Sequence, residues 1–314
     1  MLQYLRTRLL TLAPVLFLMS VLVFGFIRLI PGDPADAMLG IDADASTRQA
    51  LRHALGVDRP IPVQYALWLG RMARGDFGRS IRSQQPVWAI LADKFPATLE
   101  LTAAATAIGL AISLPLGVVA AVRRNTGVDF GAMVMALGGV SIPSFWLGVM
   151  LILLFSLRWR FFPSIGYTEF TQNPLDALRH LILPAVTLGL GLIGALTRMV
   201  RSGVLEEQTR EYVRSARAKG LSPRAVITGH ILRNALLPTL TVLGTQVSVL
   251  LGGAVITEQI FGWPGLGQLA VQAVLGRDYP VLQGTILVVA VVVTIVQLLV
   301  DVGYALLDPR IRFA

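Results

Sequence analysis

Six stretches of the chain carry almost nothing but apolar residues, and polar segments of very unequal length separate them. The apolar runs are residues 9–30, 99–122, 130–157, 181–200, 237–256 and 281–307, each near the roughly 20 residues a helix needs to cross a bilayer. The pattern predicts an all-α membrane protein of about six transmembrane helices. Residues 1–30 hold the first helix, 31–97 a long polar segment, 98–307 a core of about five helices, and 308–314 a short tail. Within 31–97 the spacing predicts amphipathic helices over 46–55, closed by Gly56, and over 63–73, closed by Gly75. The third apolar run is interrupted by Gly138-Gly139 and Ile142-Pro143. Such breaks permit close packing or a kink, or line a passage. Tyr65, Trp68, Phe77 and Trp88 read as residues of a membrane interface, as do Trp159, Phe161, Phe162 and Tyr167.

Composition agrees with the pattern: 54% of residues are hydrophobic and 14% charged, far from a soluble average. The formal net charge of +9 raises nucleic acid as a partner, but the cations lie between apolar runs and lack stacking aromatics, so no nucleic acid is expected. Arg6, Arg8, Arg123, Arg124, Arg201, Arg210, Arg214, Arg217, Lys219, Arg224, Arg233, Arg310 and Arg312 fall on one side if the helices alternate. That side is assigned to the cytoplasm, with both termini, and the 31–97 segment lies outside. The first run is too long for a cleaved leader and reads as a retained anchor, with Arg28 reaching back to the interface. There is no Cys, which removes disulfides, thiolate metal sites and cysteine nucleophiles. His53, His180 and His230 are scattered. No metal site, cofactor site or catalytic residue is expected in this chain.

A self-contained pump or enzyme finds little support in the residues. A phosphate-binding P-loop needs Gly before its Lys, whereas Lys94 follows Asp93 and Lys219 follows Ala218. HExxH and GxSxG are absent. Ion-coupled carriers place ionisable groups deep in the membrane, but Glu100, Glu258 and Asp301 fall near the ends of runs, where interfacial solvation or a helix-end ion pair is the default. An autonomous channel or secondary transporter stays open as an alternative.

The basic island at 201–238 is the segment with the most local information. Residues 211–219 form a good helix, Gly220 suits the left-handed position that ends one, and Ser222-Pro223 reads as an N-cap followed by Pro at the first helical position. This predicts a helix, a sharp corner and a second helix. Val204, Leu205, Tyr212, Val213 and Ala216 recur at helical spacing as an apolar stripe opposite the charged face. A rigid lever pushed by a partner protein and a solvated basic loop held near anionic lipid both fit.

YVRSARAKGLS at 212–222 followed by HILRNALLP at 230–238 resembles the EAA loop of ABC importer permeases, in the form of the dipeptide, oligopeptide, glutathione and nickel group. PGDP at 31–34, LGVDRPIPVQY at 55–65, GDFGRS at 75–80, PATLEL at 96–101, IFGWPGLG at 260–267, RDYPVLQG at 277–284 and DPRIR at 308–312 extend the likeness over nearly the whole chain. Arg214 stands where the name-giving Glu of the general loop would be, and the stretch from Gly220 to Pro238 is longer than in sugar-type permeases. The resemblance implies the type I importer permease fold, a multi-pass protein of a prokaryotic plasma (inner) membrane, and an extracytoplasmic loop at 31–97. It implies a heterodimer with a second homologous permease, two cytosolic ABC ATPase subunits that bind ATP and Mg, and an extracytoplasmic solute-binding protein. The implied ATPase-coupling residues are Glu211, Tyr212, Arg214, Ser215, Ala216, Ala218, Lys219, Gly220, Leu221, Ser222 and Pro223. Glu258, Trp263, Pro264 and Gly265 are the candidate gate or partner contact. Peptides are the expected cargo, with a nickel chelate as the alternative inside the group.

Overall fold

The computed structural model describes residues 2–29, 44, 46, 49, 53 and 58–307. The PGDP run, most of the helix expected over 46–55, and the tail with Arg310 and Arg312 lie outside the described residues, as do the side chains of Arg6, Arg8 and Arg28. The helices are α1 (Leu2–Leu29), α2 (Ile61–Met72), α3 (Val87–Val122), α4 (Gly127–Ser141), α5 (Ser144–Leu151), α6 (Pro174–Glu207), α7 (Glu211–Ala218), α8 (Pro223–Val226), α9 (Leu232–Gly253), α10 (Val255–Phe261), α11 (Leu266–Leu275) and α12 (Tyr279–Leu307). Wider π-type turns follow α5 at Ile152–Arg158 and precede α9 at Ile227–Ile231. Among the described residues, four helices are long and apolar enough to cross a membrane: Val87–Val122, Pro174–Glu207, Pro223–Gly252 and Tyr279–Tyr304. The pair Gly127–Ser141 and Ser144–Arg158 makes a fifth if counted as one span. α1, 28 residues long, adds the apolar stretch Leu12–Gly25.

The chain divides into two units, each described on its own. The first comprises Met1–Ala97 and Pro264–Thr294. There α2 lies against α1 through a ring cluster in which Phe24 meets Tyr65 at 5.3 Å and Trp68 at 5.5 Å. Trp68 Nε1 donates to Gln283 Oε1 at 3.1 Å. Trp68, expected as an interfacial aromatic, is a core residue of this unit, and Tyr65 is half-buried beside it; a buried indole N–H needs a partner, which Gln283 supplies. Trp88 stays exposed, stacked on Phe77. The loop before α3 is pinned by the buried Asp278, which accepts from Ser80 Oγ at 2.5 Å, Ile81 N at 3.1 Å and Arg82 N at 3.4 Å. α3 begins at Val87, well before the apolar run at 99, because a run counts membrane thickness while a helix continues wherever its turns are amphipathic. Val87 and Leu91 face the core with Leu266, Ala273 and Val281, and Asp93 stays exposed.

The second unit comprises Thr98–Trp263 and Ile295–Ala314, and α6 runs through its middle. Small residues bring helices to α6 almost backbone to backbone, as membrane helices pack when no hydrophobic force acts between them. A Cβ added at Gly194 would stand 2.4 Å from the Ala136 carbonyl of α4, and one at Gly203 would stand 2.6 Å from the Ala235 carbonyl of α9. The third apolar run breaks where Ile142-Pro143 predicts, and α4 and α5 meet at 101°. α12 rests on α9 at its far end, where Gln297 Nε2 donates to Ser248 Oγ at 2.9 Å.

Candidate functional site

The island is a corner standing on an apolar seat. α7 stops at Ala218, and Gly220 takes φ +78°, where a side chain would strain the backbone. Its N–H bonds to Arg217 O at 3.0 Å, and Leu221 N reaches Ala216 O at 3.4 Å. Ser222 Oγ then accepts from Ala225 N at 3.3 Å, and Pro223 opens α8. Beneath the corner, Val213 and Ala216 are buried with Ala121, Val200, Val204, Val226, Ile231 and Ala235 in one cluster. Residues from α3, α6, α7, α8 and α9 thus share one patch of core, which fixes the corner to the feet of three long helices.

Of the predicted apolar stripe, Val204, Val213 and Ala216 face inward and Leu205 packs at the edge, whereas Tyr212 does not belong to it. Tyr212 is 37% exposed; its hydroxyl donates to Glu207 Oε2 at 2.5 Å and accepts from Asn234 Nδ2 at 3.1 Å. Burial of its inner side and the adjacent Glu207 carboxylate raise the phenol pKa above its ordinary value, so the hydroxyl stays protonated as a donor. Arg210 pairs with Glu206 at 2.8 Å. The outer face is Arg214, Ser215, Arg217, Ala218, Lys219, Gly220, Leu221, Ser222, Pro223 and Arg224, all exposed. Leu221, 42% exposed, is an apolar residue flanked along the chain by the exposed Lys219 and Arg224. Such a face can bind another protein.

A bidentate ion pair braces the same end of the unit. Arg201 Nε and Nη2 donate to Asp129 Oδ1 and Oδ2 at 2.6 and 2.7 Å, and Asp129 also accepts from Asn125 N at 3.0 Å. The pair joins the start of α4 to the last turns of α6. Sequence reasoning counted Arg201 only as a topological charge; an Asp just inside one apolar run and an Arg at the same end of another was the available signal.

Glu258 is placed differently from the solvated residue its position near a run end suggests. It is fully buried and accepts from Thr98 Oγ1 at 2.9 Å, while its carbonyl takes the Trp263 N–H at 2.8 Å. Gly262 turns the chain with φ +61°, and the buried Trp263 meets Tyr167 edge-on at 4.8 Å. Tyr167 OH in turn donates to Glu100 Oε2 at 3.1 Å. Glu258 and Trp263 are therefore held in the interior of their unit. Pro264 and Gly265 belong to the other unit, where Gly265 caps α11 with extended backbone and its carbonyl accepts from Leu269 N.

A cavity of about 200 Å³ opens at the break between α4 and α5, lined there by Gly139, Val140, Ile142 and Ser144, and across from them by Gly191 and Gln246. The break leaves main-chain groups unpaired. Ile142 N still bonds to Gly138 O, but Pro143 has no N–H, and no backbone donor among the described residues reaches the carbonyls of Gly139, Val140 or Ser141. Nothing in the composition of the third run foretold a cavity; only the Gly-Gly and Ile-Pro interruption marked the place.

Long apolar helices packed through glycine and a polar corner seated on their feet describe a membrane transport component, and the comparisons agree. Residues 113–313 match the family described as binding-protein-dependent transport system inner membrane component, and residues 1–102 match its N-terminal counterpart. The chain belongs to that family and is a multi-pass inner-membrane protein. More particularly, it is 43% identical over a 333-residue alignment to the di/tripeptide transport system permease protein DppB of Pseudomonas aeruginosa, with 99% of each chain covered. It is 42% identical over 336 aligned residues to the dipeptide transport system permease protein DppB of Escherichia coli strain K12, again with 99% of each covered. Among solved structures, an inward-facing MetNI methionine ABC transporter chain matches with a TM-score of 0.58 at 23% identity, over 70% of this chain and 96% of that one. That likeness shows the type I importer permease fold.

Proposed function

We propose that this chain is the permease subunit of an ATP-driven importer of peptides and forms half of the translocation path. The peptide assignment is supported by the names of relatives 42–43% identical over almost the whole length. In this reading the island faces the cytoplasm with both termini, a second homologous permease completes the path, and an extracytoplasmic solute-binding protein delivers cargo. Two cytosolic ATPase subunits bind ATP and Mg and drive the cycle.

The observation that carries the coupling role is the division of the island into an inner and an outer face. Val213 and Ala216 seat the corner in the core of the unit, and Tyr212 ties it to Glu207 and Asn234. Glu211, Arg214, Ser215, Arg217, Ala218, Lys219, Gly220, Leu221, Ser222 and Pro223 are exposed and left to meet the ATPase. A push on the outer face reaches α3, α6 and α9 without first deforming a loop, as alternating access requires. The chain contains no native cysteine, so Leu221→Cys gives a single thiol at the tip. A short bifunctional crosslinker should join it to the ATPase subunit in the assembled transporter, and a thiol introduced at exposed Leu178 should stay unlinked. Equal crosslinking at both positions, or at neither, would sink the assignment. Leu221→Asp should leave the protein in the membrane while peptide uptake falls at least ten-fold.

A further inference from the structure

We infer that the cavity at the break between α4 and α5 is a cargo subsite that holds a primary ammonium group, that of a peptide's N-terminus, as the peptide crosses. This rests on the peptide-importer reading above and adds a location and a chemistry to it.

The first argument is the set of free acceptors. The carbonyls of Gly139, Val140 and Ser141 end α4 without backbone donors, and Gly139 and Val140 line the cavity. The C-terminal end of a helix carries partial negative charge and favours a cation. Irregular backbone at membrane depth persists only where protein covers it or where it faces a wet cavity. Opposite the break, the Gln246 side-chain amide lines the same space and has no hydrogen-bond partner among the described residues. Acceptors on one wall and an amide on the other suit a peptide end, which offers N–H donors followed by a carbonyl.

The second argument is a glycine without a packing reason. Gly194, one turn from Gly191, has to be glycine because a Cβ there would collide with Ala136 O at 2.4 Å. At Gly191 a Cβ would meet only Gly139 O, at 4.0 Å, which is ordinary contact. Glycine inside a helix costs roughly 0.5–1 kcal/mol relative to alanine, and here no neighbouring atom requires it. What it leaves is room, beside the carbonyl that the first argument uses.

The test is uptake of radiolabelled Ala-Ala by proteoliposomes holding the assembled transporter, with ATP hydrolysis stimulated by the loaded binding protein measured alongside. Gly191→Leu fills the cavity and should lower uptake at least ten-fold while stimulated hydrolysis stays within two-fold. Gly191→Ala should give an intermediate loss, and Gln246→Leu a loss of at least five-fold. Gly252→Leu, where nothing lies within 4 Å, should transport normally. Unchanged uptake in Gly191→Leu would overturn the subsite. If Gly191→Leu loses hydrolysis as well, the decision passes to Gly191→Ala and Gln246→Leu, and wild-type uptake in both overturns it. Ala-Ala entry equal in rate to that of N-acetyl-Ala-Ala would overturn the ammonium assignment. A wild-type transporter that hydrolyses ATP on stimulation but takes up no peptide would refute the peptide reading and the subsite together, an outcome distinct from all the others.

Discussion

Val213→Ala separates a seated lever from a loop that merely lies on the surface. Val213 is fully buried in the cluster beneath the corner. Losing two methyl groups forfeits about 1.6 kcal/mol at ~0.8 per buried carbon, and the cavity left behind brings the cost to roughly 2 kcal/mol. The loss bears on α7, which has only eight residues and cannot hold helical structure alone. At about 1.4 kcal/mol per factor of ten, local opening of α7 should become about thirty-fold more frequent. Hydrogen exchange read by mass spectrometry on the purified permease should show this acceleration at the amides of 214–219, with the buried middle of α6 unchanged. Leu221→Asp, on the outer face, should leave the same amides unaffected although it disrupts coupling. Exchange at 214–219 that is identical in wild type and Val213→Ala would refute the seat and, with it, the claim that force passes directly into the long helices.

Other sites give sharper contrasts. Gly194→Ala should destabilise the permease by roughly 1–3 kcal/mol through overpacking against a carbonyl that cannot retreat, whereas Gly191→Ala should match or exceed wild type; thermal unfolding in detergent checks both. Ser222→Ala removes the cap of α8 and should cost about 1 kcal/mol, read as faster exchange at Ala225 and Val226. Asp278→Ala strips three hydrogen bonds from the 80–82 turn and should expose it to limited proteolysis, which Asp278→Asn should only partly reproduce. Reversing the brace with Asp129→Arg and Arg201→Asp together should restore much of the membrane-inserted yield that either change alone loses.

What could be read from the sequence was what depends on neighbours along the chain. Gly220, Ser222 and Pro223 form their corner through contacts no more than a few residues apart, so residue type and order were enough. The break at Ile142-Pro143 was legible for the same reason, since proline removes a donor wherever it stands. Features made by distant segments were not legible. Glu258 lies near the end of an apolar run, yet it is fully buried and hydrogen-bonded to Thr98, 160 positions away. Trp68 has the composition of an interface, but α1 and Gln283 provide it with a core. Tyr212 fits the apolar stripe by spacing and leaves it because Glu207 and Asn234 offer its hydroxyl partners. The apolar run from 99 did not mark where α3 begins, because hydropathy measures the membrane and not the helix. The room beside Gly191 could not be foreseen, since a glycine that packs tightly and one that leaves space are the same letter.

The contact of Gly203 with the Ala235 carbonyl has a mechanical consequence. With no side chain between the two backbones, it is the natural fulcrum for any tilt of α6 against α9. At about 1.5 Å of rise per residue, the arm from Gly203 to Glu207 is about 6 Å and the arm to Gly191 about 18 Å. A shift of about 1 Å at the corner would then swing the helix about 3 Å where it borders the cavity, a threefold mechanical advantage. Because α4 is locked to α6 at Gly194, the Gly139 and Gly191 sides of that space would travel together on the long arm, relative to Gln246 on α9.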